Sequence, residues 1–265
     1  MFRKRVERLE YLSGVLEAGG FLHLKDAADM LGVSEMTVRR DIGASRDRFT
    51  YLGGHITLEP NSPGGMGYIL NKERASNTDR KRAACQAAVD LVQPQETLFI
   101  DCGTTTPHLA SLLPANLGLT VICYAMNVAE IVCKKPGVRV ILLGGLYHGS
   151  SASFSSPEAL ETLGRMGINK AFISAGGIHR DRGVSCSNFH EVAIKQLAMT
   201  NAECKILVVD STKFGIVKPV FFSDTTAYDY VCMDNGTMAE KAAPPALGNA
   251  KLLLGDIGRS FRPSQ

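Results

Sequence analysis

The chain has 265 residues, 45% of them hydrophobic, which is enough for a sizeable buried core and more than one domain. Its formal net charge of +3 says little about nucleic acid by itself, so local clustering has to carry any such argument. No apolar run is long enough to cross a bilayer, and Met1-Phe2-Arg3-Lys4-Arg5 is not followed by a signal-peptide core, so a cytoplasmic location without a membrane partner is expected.

Val6, Leu9, Leu12, Ser13 and Leu16 keep a helical period that ends at Gly19-Gly20, predicting a bracing first helix. Leu24, Ala27, Ala28 and Leu31 recur at i, i+3, i+4 and i+7 and predict a second. Gly32 stands where the chain must turn sharply, because a residue without Cβ takes a left-handed backbone at little cost. Ser34 then fits an N-cap, and Glu35 places negative charge beside the positive end of a third helix.

At about 100° per residue, Val38 and Ile42 of that third helix fall on the packing side. Met36 and Arg40 fall opposite, flanked by Thr37 and Arg39. Two guanidinium forks, a hydroxyl and a soft apolar side chain suit base edges and phosphates in a major groove: Arg for guanine, Thr and Met for the thymine methyl. The alternative is an ordinary helical hairpin with a solvated arginine pair. Turn, cap, core spacing and outward chemistry agree in one window, which favours a helix-turn-helix reader of double-stranded DNA contacting it through Ser34, Met36, Thr37, Arg39 and Arg40. Arg3, Lys4, Arg5 and Arg8, with Arg46 and Arg48, are expected to anchor phosphates around it.

Residues 49–58 hold two short β-prone runs across Gly53-Gly54, the sign of a tight hairpin and hence of a wing, or of a small ribbon closing the core. The stretch from Glu59 to Gly67 is dense in Pro and Gly and keeps no apolar period. It divides the chain into a DNA-binding domain over 1–58, a linker over 59–72 and a second domain over 73–265. Helical character resumes over 72–91, with Ala83, Ala84, Ala87, Ala88 and Leu91 as the packing face.

From there short apolar runs alternate with helical stretches, at 97–100, 119–123, 138–143, 170–174, 205–209 and 228–232. Strands that apolar are buried on both faces, which predicts an α/β domain with a mostly parallel sheet. Beyond Cys232, residues 238–243 fit a short helix and 251–254 a final strand, while Pro244-Pro245 and 259–265 look irregular. Seven cysteines with no C-x-x-C pair lie mostly in apolar stretches such as Val121-Ile122-Cys123 and Ile131-Val132-Cys133, as buried reduced thiols do. The six histidines form no ligand pattern, so neither a metal nor another cofactor is expected.

In open parallel sheets ligands gather at the carboxyl ends of strands. After the first run come Asp101, Gly103, Thr104, Thr105, Thr106 and Pro107, then a helix. Gly103 admits close backbone approach, and the threonines set hydroxyls beside amides at a helix start, a phosphate cradle or simply a Thr-capped helix. Other strand ends add Asn127, Gly144-Gly145, Gly176-Gly177 and Lys213. Glu191 and Lys195 share a helix face, either as an exposed ion pair or as a grip on the far end of a sugar.

Val33-Ser34-Glu35-Met36-Thr37-Val38-Arg39-Arg40-Asp41 resembles the signature of the DeoR family of bacterial transcriptional repressors. Asp101-Cys102-Gly103-Thr104-Thr105-Thr106, Leu143-Gly144-Gly145 and Asp210-Ser211-Thr212-Lys213-Phe214-Gly215 resemble its sensor domain in order. Where that family often has an Arg-rich His-Gly-Gly approach to the wing, this chain has Tyr51-Leu52-Gly53-Gly54. The resemblance implies a homo-oligomeric repressor that leaves its operator when a sugar phosphate fills the sensor. For the branch whose motifs lie nearest, it implies deoxyribose 5-phosphate and genes of deoxynucleoside catabolism. It also implies a sensor fold similar to ribose 5-phosphate isomerase, so the rival reading is a sugar-phosphate isomerase-like enzyme with an accessory DNA-binding domain. Isomerisation through an enediol needs a carboxylate base and oxyanion stabilisation, and Ala175-Gly176-Gly177-Ile178-His179 supplies no acid where the related isomerases carry theirs. No catalytic residue is assigned.

Overall fold

The computed structural model describes residues 5–19, 22–45, 48–52, 54–58, 76–236 and 247–257. The chain divides into two compact units, Met1–Glu73 and Arg74–Gln265. The predicted linker over 59–72, the short helix at 238–243, the Pro244-Pro245 stretch and the end from 259 lie outside the described residues.

In the first unit α1 (Arg5–Gly19), α2 (Leu24–Leu31) and α3 (Glu35–Gly43) accompany an antiparallel sheet of β1 (Leu22–His23), β3 (His55–Leu58) and β2 (Phe49–Leu52), in that order. Leu9, Leu12, Leu16, Leu24, Ala27, Leu31, Val38, Ile42, Phe49 and Ile56 share one core. Val6, expected to face it, is exposed, so burial on α1 begins at Leu9. Gly32 takes φ 64°, and its N–H reaches back to the carbonyls of Ala28 and Asp29, which ends α2 in the left-handed region. Strand β1 is two residues long and carries no readable period. It still matters, because Leu22 and His23 pair with Ile56 and His55, and the Leu24 amide donates to the Gly54 carbonyl at 2.9 Å. The hairpin is thereby tied to the start of α2.

The second unit is built on a seven-stranded parallel sheet in the order β15 (Lys251–Gly255), β14 (Tyr230–Asp234), β12 (Ala202–Val208), β9 (Ile168–Ile173), β4 (Thr97–Ile100), β5 (Thr120–Cys123), β6 (Arg139–Leu142). Every run predicted as a strand is one of these. Strand β14 starts two residues later than the apolar run; there the Tyr228 hydroxyl lies 2.7 Å from Ser223 Oγ, and Asp229 Oδ2 accepts the Lys205 amide at 2.7 Å. Helices α4 (Thr78–Val89), α5 (Thr106–Leu112) and α6 (Met126–Val132) pack in series, and α7 (Pro157–Gly164) packs on α8 (Val192–Asn201). On α4 the expected Ala83, Ala84 and Ala88 are buried. Of the cysteines, Cys85, Cys102, Cys123, Cys186 and Cys232 are buried free thiols, whereas Cys133, at the end of α6, is exposed.

Two smaller sheets were not visible as apolar runs. One is the hairpin β7 (Leu146–His148) with β8 (Ser153–Ser155). The other joins β10 (Gly177–His179), β11 (Gly183–Cys186) and β13 (Val220–Ser223), all antiparallel.

Strand order sets the position of the sheet's switch point. From β4 the chain winds through β5 to β6; from β9, on the other side of β4, it winds the opposite way through β12 to β15. The direction reverses between β4 and β9, and in open α/β sheets the ligand crevice opens at that switch point, beyond the carboxyl ends of the strands. Asp101 follows β4 there and Ser174 follows β9.

Candidate functional site

The exposed face of α3 is set from its N-terminus. Ser34 has an extended backbone, its hydroxyl accepts the Thr37 amide at 3.2 Å, and the two hydroxyls stand 3.0 Å apart. Ser34 and Thr37 thus shape the helix entry as well as facing outward. Beyond them Met36 is 75% exposed and Arg40 is exposed on the same side. Arg39 does not extend freely: its guanidinium lies 4.7 Å from the Tyr51 ring centroid, a cation–π contact that aims it along the hairpin.

Three arginines expected to anchor phosphates hold the fold instead. Arg5 donates to the Ala44 carbonyl at 2.9 Å and to Ser45 Oγ at 2.8 Å, which closes the C-terminal end of α3. Arg8 clasps Asp41 Oδ2 through Nε at 2.8 Å and Nη2 at 2.6 Å, with both side chains largely buried. Arg48 donates to Ser13 Oγ at 2.9 Å. Each has a local acceptor, so the charge cluster braces α1 against α3 and the hairpin. Arg3, Lys4 and Arg46 lie outside the described residues.

In the second unit Asp101 is fully buried at the switch point. Its Oδ1 accepts the Tyr124 hydroxyl at 2.7 Å; its Oδ2 accepts the Ser174 amide at 2.8 Å, the Ser174 hydroxyl at 3.0 Å and the Lys195 ammonium. Lys195, 1% exposed, lies 3.5 Å from Glu191 Oε2 and donates to the Ser174 carbonyl at 3.3 Å. Glu191 Oε1 accepts Asn188 Nδ2 at 2.6 Å. Burial works against the ammonium, yet the Asp101 carboxylate, with Cys102 and Glu191, holds the Lys195 pKa well above its ordinary value. The predicted Glu191–Lys195 pair therefore exists as a buried pair, locked to Asp101 rather than exposed. Tyr124, Ser174 and Asn188 complete the network and were missed; their only sequence signal is position, at or near strand ends.

The turn after Asp101 is shaped around its glycine. Gly103 takes φ 114°, and a Cβ there would stand 3.1 Å from Ser174 Oγ. Asn127, buried at the start of α6, donates to the Gly103 carbonyl at 2.9 Å. Asn127 Oδ1 and Thr106 Oγ1 are buried, and neither has a hydrogen-bond partner. Thr104 is half-buried beside them, and Thr105 is buried with its carbonyl accepting the Cys85 thiol at 3.3 Å.

The other glycines are placed differently. Gly145, at φ 138°, has no room for a Cβ because the Ser155 carbonyl occupies that space, and Gly177 meets the Ile216 carbonyl in the same way. At these two positions the absence of a side chain lets neighbouring backbone pack. Gly176 lies against the Lys218 side chain, and Gly144 is open. Lys213 is half-buried in the 3₁₀ turn Ser211–Lys213 beyond β12.

Over the same end of the sheet lies the β7–β8 hairpin, joined to the β5 end where Met126 N–H donates to Ala152 O at 2.7 Å and Phe154 N–H to Tyr124 O at 2.8 Å. His148 stacks on His190 with ring centroids 3.6 Å apart; His148 lies 2.7 Å from Ser155 Oγ and His190 3.0 Å from Ser151 Oγ. Burial, then the neighbouring His148 and Lys195, push the His190 pKa down to about 4. The unfolded chain takes up that proton near pH 6.5, so the folded state loses stability as pH falls from there towards 4. His190→Gln is expected to flatten the fall in Tm between pH 7 and pH 4.5, followed by circular dichroism. An unchanged slope would show that the imidazole is not the group responsible.

Residues 8–45 match the family described as the DeoR-like helix-turn-helix domain, and residues 76–235 match the DeoR C terminal sensor domain. The chain is 40% identical over 234 residues to the deoxyribose operon repressor of Escherichia coli K12, covering 88% of this chain and 92% of that protein. It is 31% identical over 240 residues to the lactose phosphotransferase system repressor of Lactococcus lactis subsp. lactis, covering 89% and 92%. Among solved structures, ribose 5-phosphate isomerase A of Neisseria gonorrhoeae is similar over 52% of this chain and 53% of its own, at 15% identity and a TM-score of 0.36. No helix among the described residues is long and apolar enough to cross a membrane. A helix-turn-helix head and a sensor unit that both match across the chain place it in the DeoR family, as a DNA-binding transcriptional regulator and not an enzyme.

Proposed function

We propose that this regulator represses genes of deoxynucleoside and deoxyribose catabolism in the cytoplasm, and that deoxyribose 5-phosphate releases it from its operator. In this reading residues 1–58 read DNA, 59–72 connect, and 73–265 sense. The choice of inducer is supported by the 40% identity to a deoxyribose operon repressor. The observation that carries the site is a pair of buried, unpartnered polar atoms, Thr106 Oγ1 and Asn127 Oδ1, both attached to the Gly103 turn at the sheet's switch point. An unpaired buried polar group costs about 1–3 kcal/mol, so the turn favours a ligand that supplies partners. A phosphosugar does so, offering phosphate oxygens to the Thr106 hydroxyl and a sugar hydroxyl to the Asn127 carbonyl oxygen. Gly103, Thr104 and Thr105 line the same turn, and Asp101, Glu191 and Lys195 set the polarity of its floor.

Release follows from linkage: a ligand that favours the DNA-free arrangement lowers operator affinity by the same factor that the operator lowers its own. Paired reading heads in a homo-oligomer make this effective, because half-site spacing on the duplex is geometrically strict. Saturating deoxyribose 5-phosphate is expected to raise Tm and to loosen a promoter fragment in a gel titration, with ribose 5-phosphate weaker in both. Thr104→Glu, which sets a carboxylate in the cradle, is expected to stay on DNA despite inducer. Equal operator affinity with and without the sugar phosphate would remove it as the inducer.

A further inference from the structure

Helix α4 begins at Thr78, a few residues beyond the boundary between the two units at Glu73, and is the first described helix of the second unit. It precedes β4 and packs against β14, β15 and β12, which brings its N-terminus to the crevice end of the sheet. There Asn77 Nδ2 donates to Thr212 Oγ1 at 3.3 Å, and Arg80 Nη1 donates to Ser211 Oγ at 2.5 Å. Arg80 also lies 3.6 Å from Asp234 Oδ2, and Asp234 accepts the Ser211 amide at 2.6 Å and hydroxyl at 2.8 Å. Two turns further along α4, the Cys85 thiol donates to the Thr105 carbonyl at 3.3 Å.

One helix thus grips two of the turns that face the crevice: residues 103–106 after β4 and 210–213 after β12. The second turn has an unfilled demand of its own. Asp210 is fully buried, its Oδ1 accepts the Thr212 amide at 3.1 Å together with the Thr212 hydroxyl, and its Oδ2 has no hydrogen-bond partner. A ligand drawn to the unpaired atoms of both turns changes their relative position, and α4 is fastened to each.

Resting on the reading of the crevice as the sugar-phosphate site, we infer that the first two turns of α4, held by Arg80 to Ser211 and Asp234 and by Cys85 to Thr105, are the relay through which occupancy reaches the DNA-binding unit. Arg80 and Ser211 are positioning residues here: Ser211 belongs to the second turn, but it is buried with its amide and hydroxyl both given to Asp234, and Arg80 lies on α4 and outside the DNA-reading face. Their removal is expected to separate binding from response.

The test measures both quantities on full-length wild type, Arg80→Ala and Ser211→Ala. Thermal shift with deoxyribose 5-phosphate reads sensor occupancy, and gel titration on operator DNA with and without it reads release. Both variants are expected to keep the wild-type thermal shift and the wild-type operator affinity without inducer. The factor by which inducer weakens the operator complex, commonly about 5–150-fold in coupled systems, is expected to fall towards unity. Ser211→Ala removes a single hydroxyl and serves if Arg80→Ala does not fold. A variant that binds the sugar phosphate and releases DNA by the wild-type factor overturns the relay alone. Loss of sugar-phosphate binding in the variants also overturns it, since the residues would then belong to the pocket. No thermal shift in the wild type removes the site reading, and the relay with it.

Discussion

Asp101→Ala is expected to destabilise the sensor unit by about 3–5 kcal/mol, the common cost of removing one partner from a buried ion pair. The carboxylate is fully buried and takes donors from Tyr124, Ser174 and Lys195. Deleting it strands an ammonium that is 1% exposed, leaving Glu191 at 3.5 Å as its nearest opposite charge. Because the folded state raises the Lys195 pKa, its contribution is complete below the ordinary lysine value and fades only as pH rises through the higher folded one. Lys195 is therefore charged at neutral pH in the wild type; in Asp101→Ala the foremost cause raising its pKa is gone while burial still lowers it. Tyr124→Phe removes one neutral donor to the same carboxylate and should cost far less, on the order of 1 kcal/mol. Urea unfolding separates them through the midpoint at constant slope. A midpoint for Asp101→Ala within error of Tyr124→Phe would mean that the network is decoration around an apolar core.

That network also marks the limit of what the sequence discloses. The helix-turn-helix was legible because its signals are local: the period of Leu24 to Leu31, the turn at Gly32 and the cap at Ser34 act within a few residues of one another. The six parallel strands before the C-terminal one were legible because each carries an apolar run, buried in the central strands and only partly covered in β6 at the sheet edge. Strand order is not local. Nothing in residues 97–100 or 168–173 says that they are neighbours, so the reversal of winding between them, and the meeting of Asp101 with Ser174 and Lys195, needed the fold. Short strands such as Gly183–Cys186 were missed because Gly183-Val184-Ser185-Cys186 is not an apolar run, although all four residues are buried. The glycines show the same limit. Gly103 and Gly145 both have positive φ, yet one opens on the crevice turn and the other is wedged against Ser155.

The arginines of the reading head offer the sharpest contrast, because charge alone made them equivalent. Arg8→Ala is expected to destabilise the head by about 3–5 kcal/mol, since it leaves Asp41 buried without its cation. Its DNA binding should fail on every sequence together, in proportion to the unfolded fraction, and recover as temperature is lowered towards maximum stability. Arg40→Ala should leave the unfolding midpoint alone, because the side chain is exposed on the face opposite Val38 and Ile42. Its specific binding should weaken by about 1–3 kcal/mol with discrimination relaxed at one base pair if the guanidinium reads a base edge. If it meets only phosphate, affinity should fall evenly across sequences and the salt slope should flatten by about one. Parallel titrations on operator and random DNA at several salt concentrations, each paired with an unfolding curve, distinguish these cases. An Arg8→Ala protein as stable as wild type, but with the flattened salt slope, would return Arg8 to the phosphate contacts that the charge pattern first suggested. In that event the clasp on Asp41 would contribute little to the fold, and the bracing of α1 against α3 would rest on Arg5 and the packing of Leu9, Leu12 and Leu16.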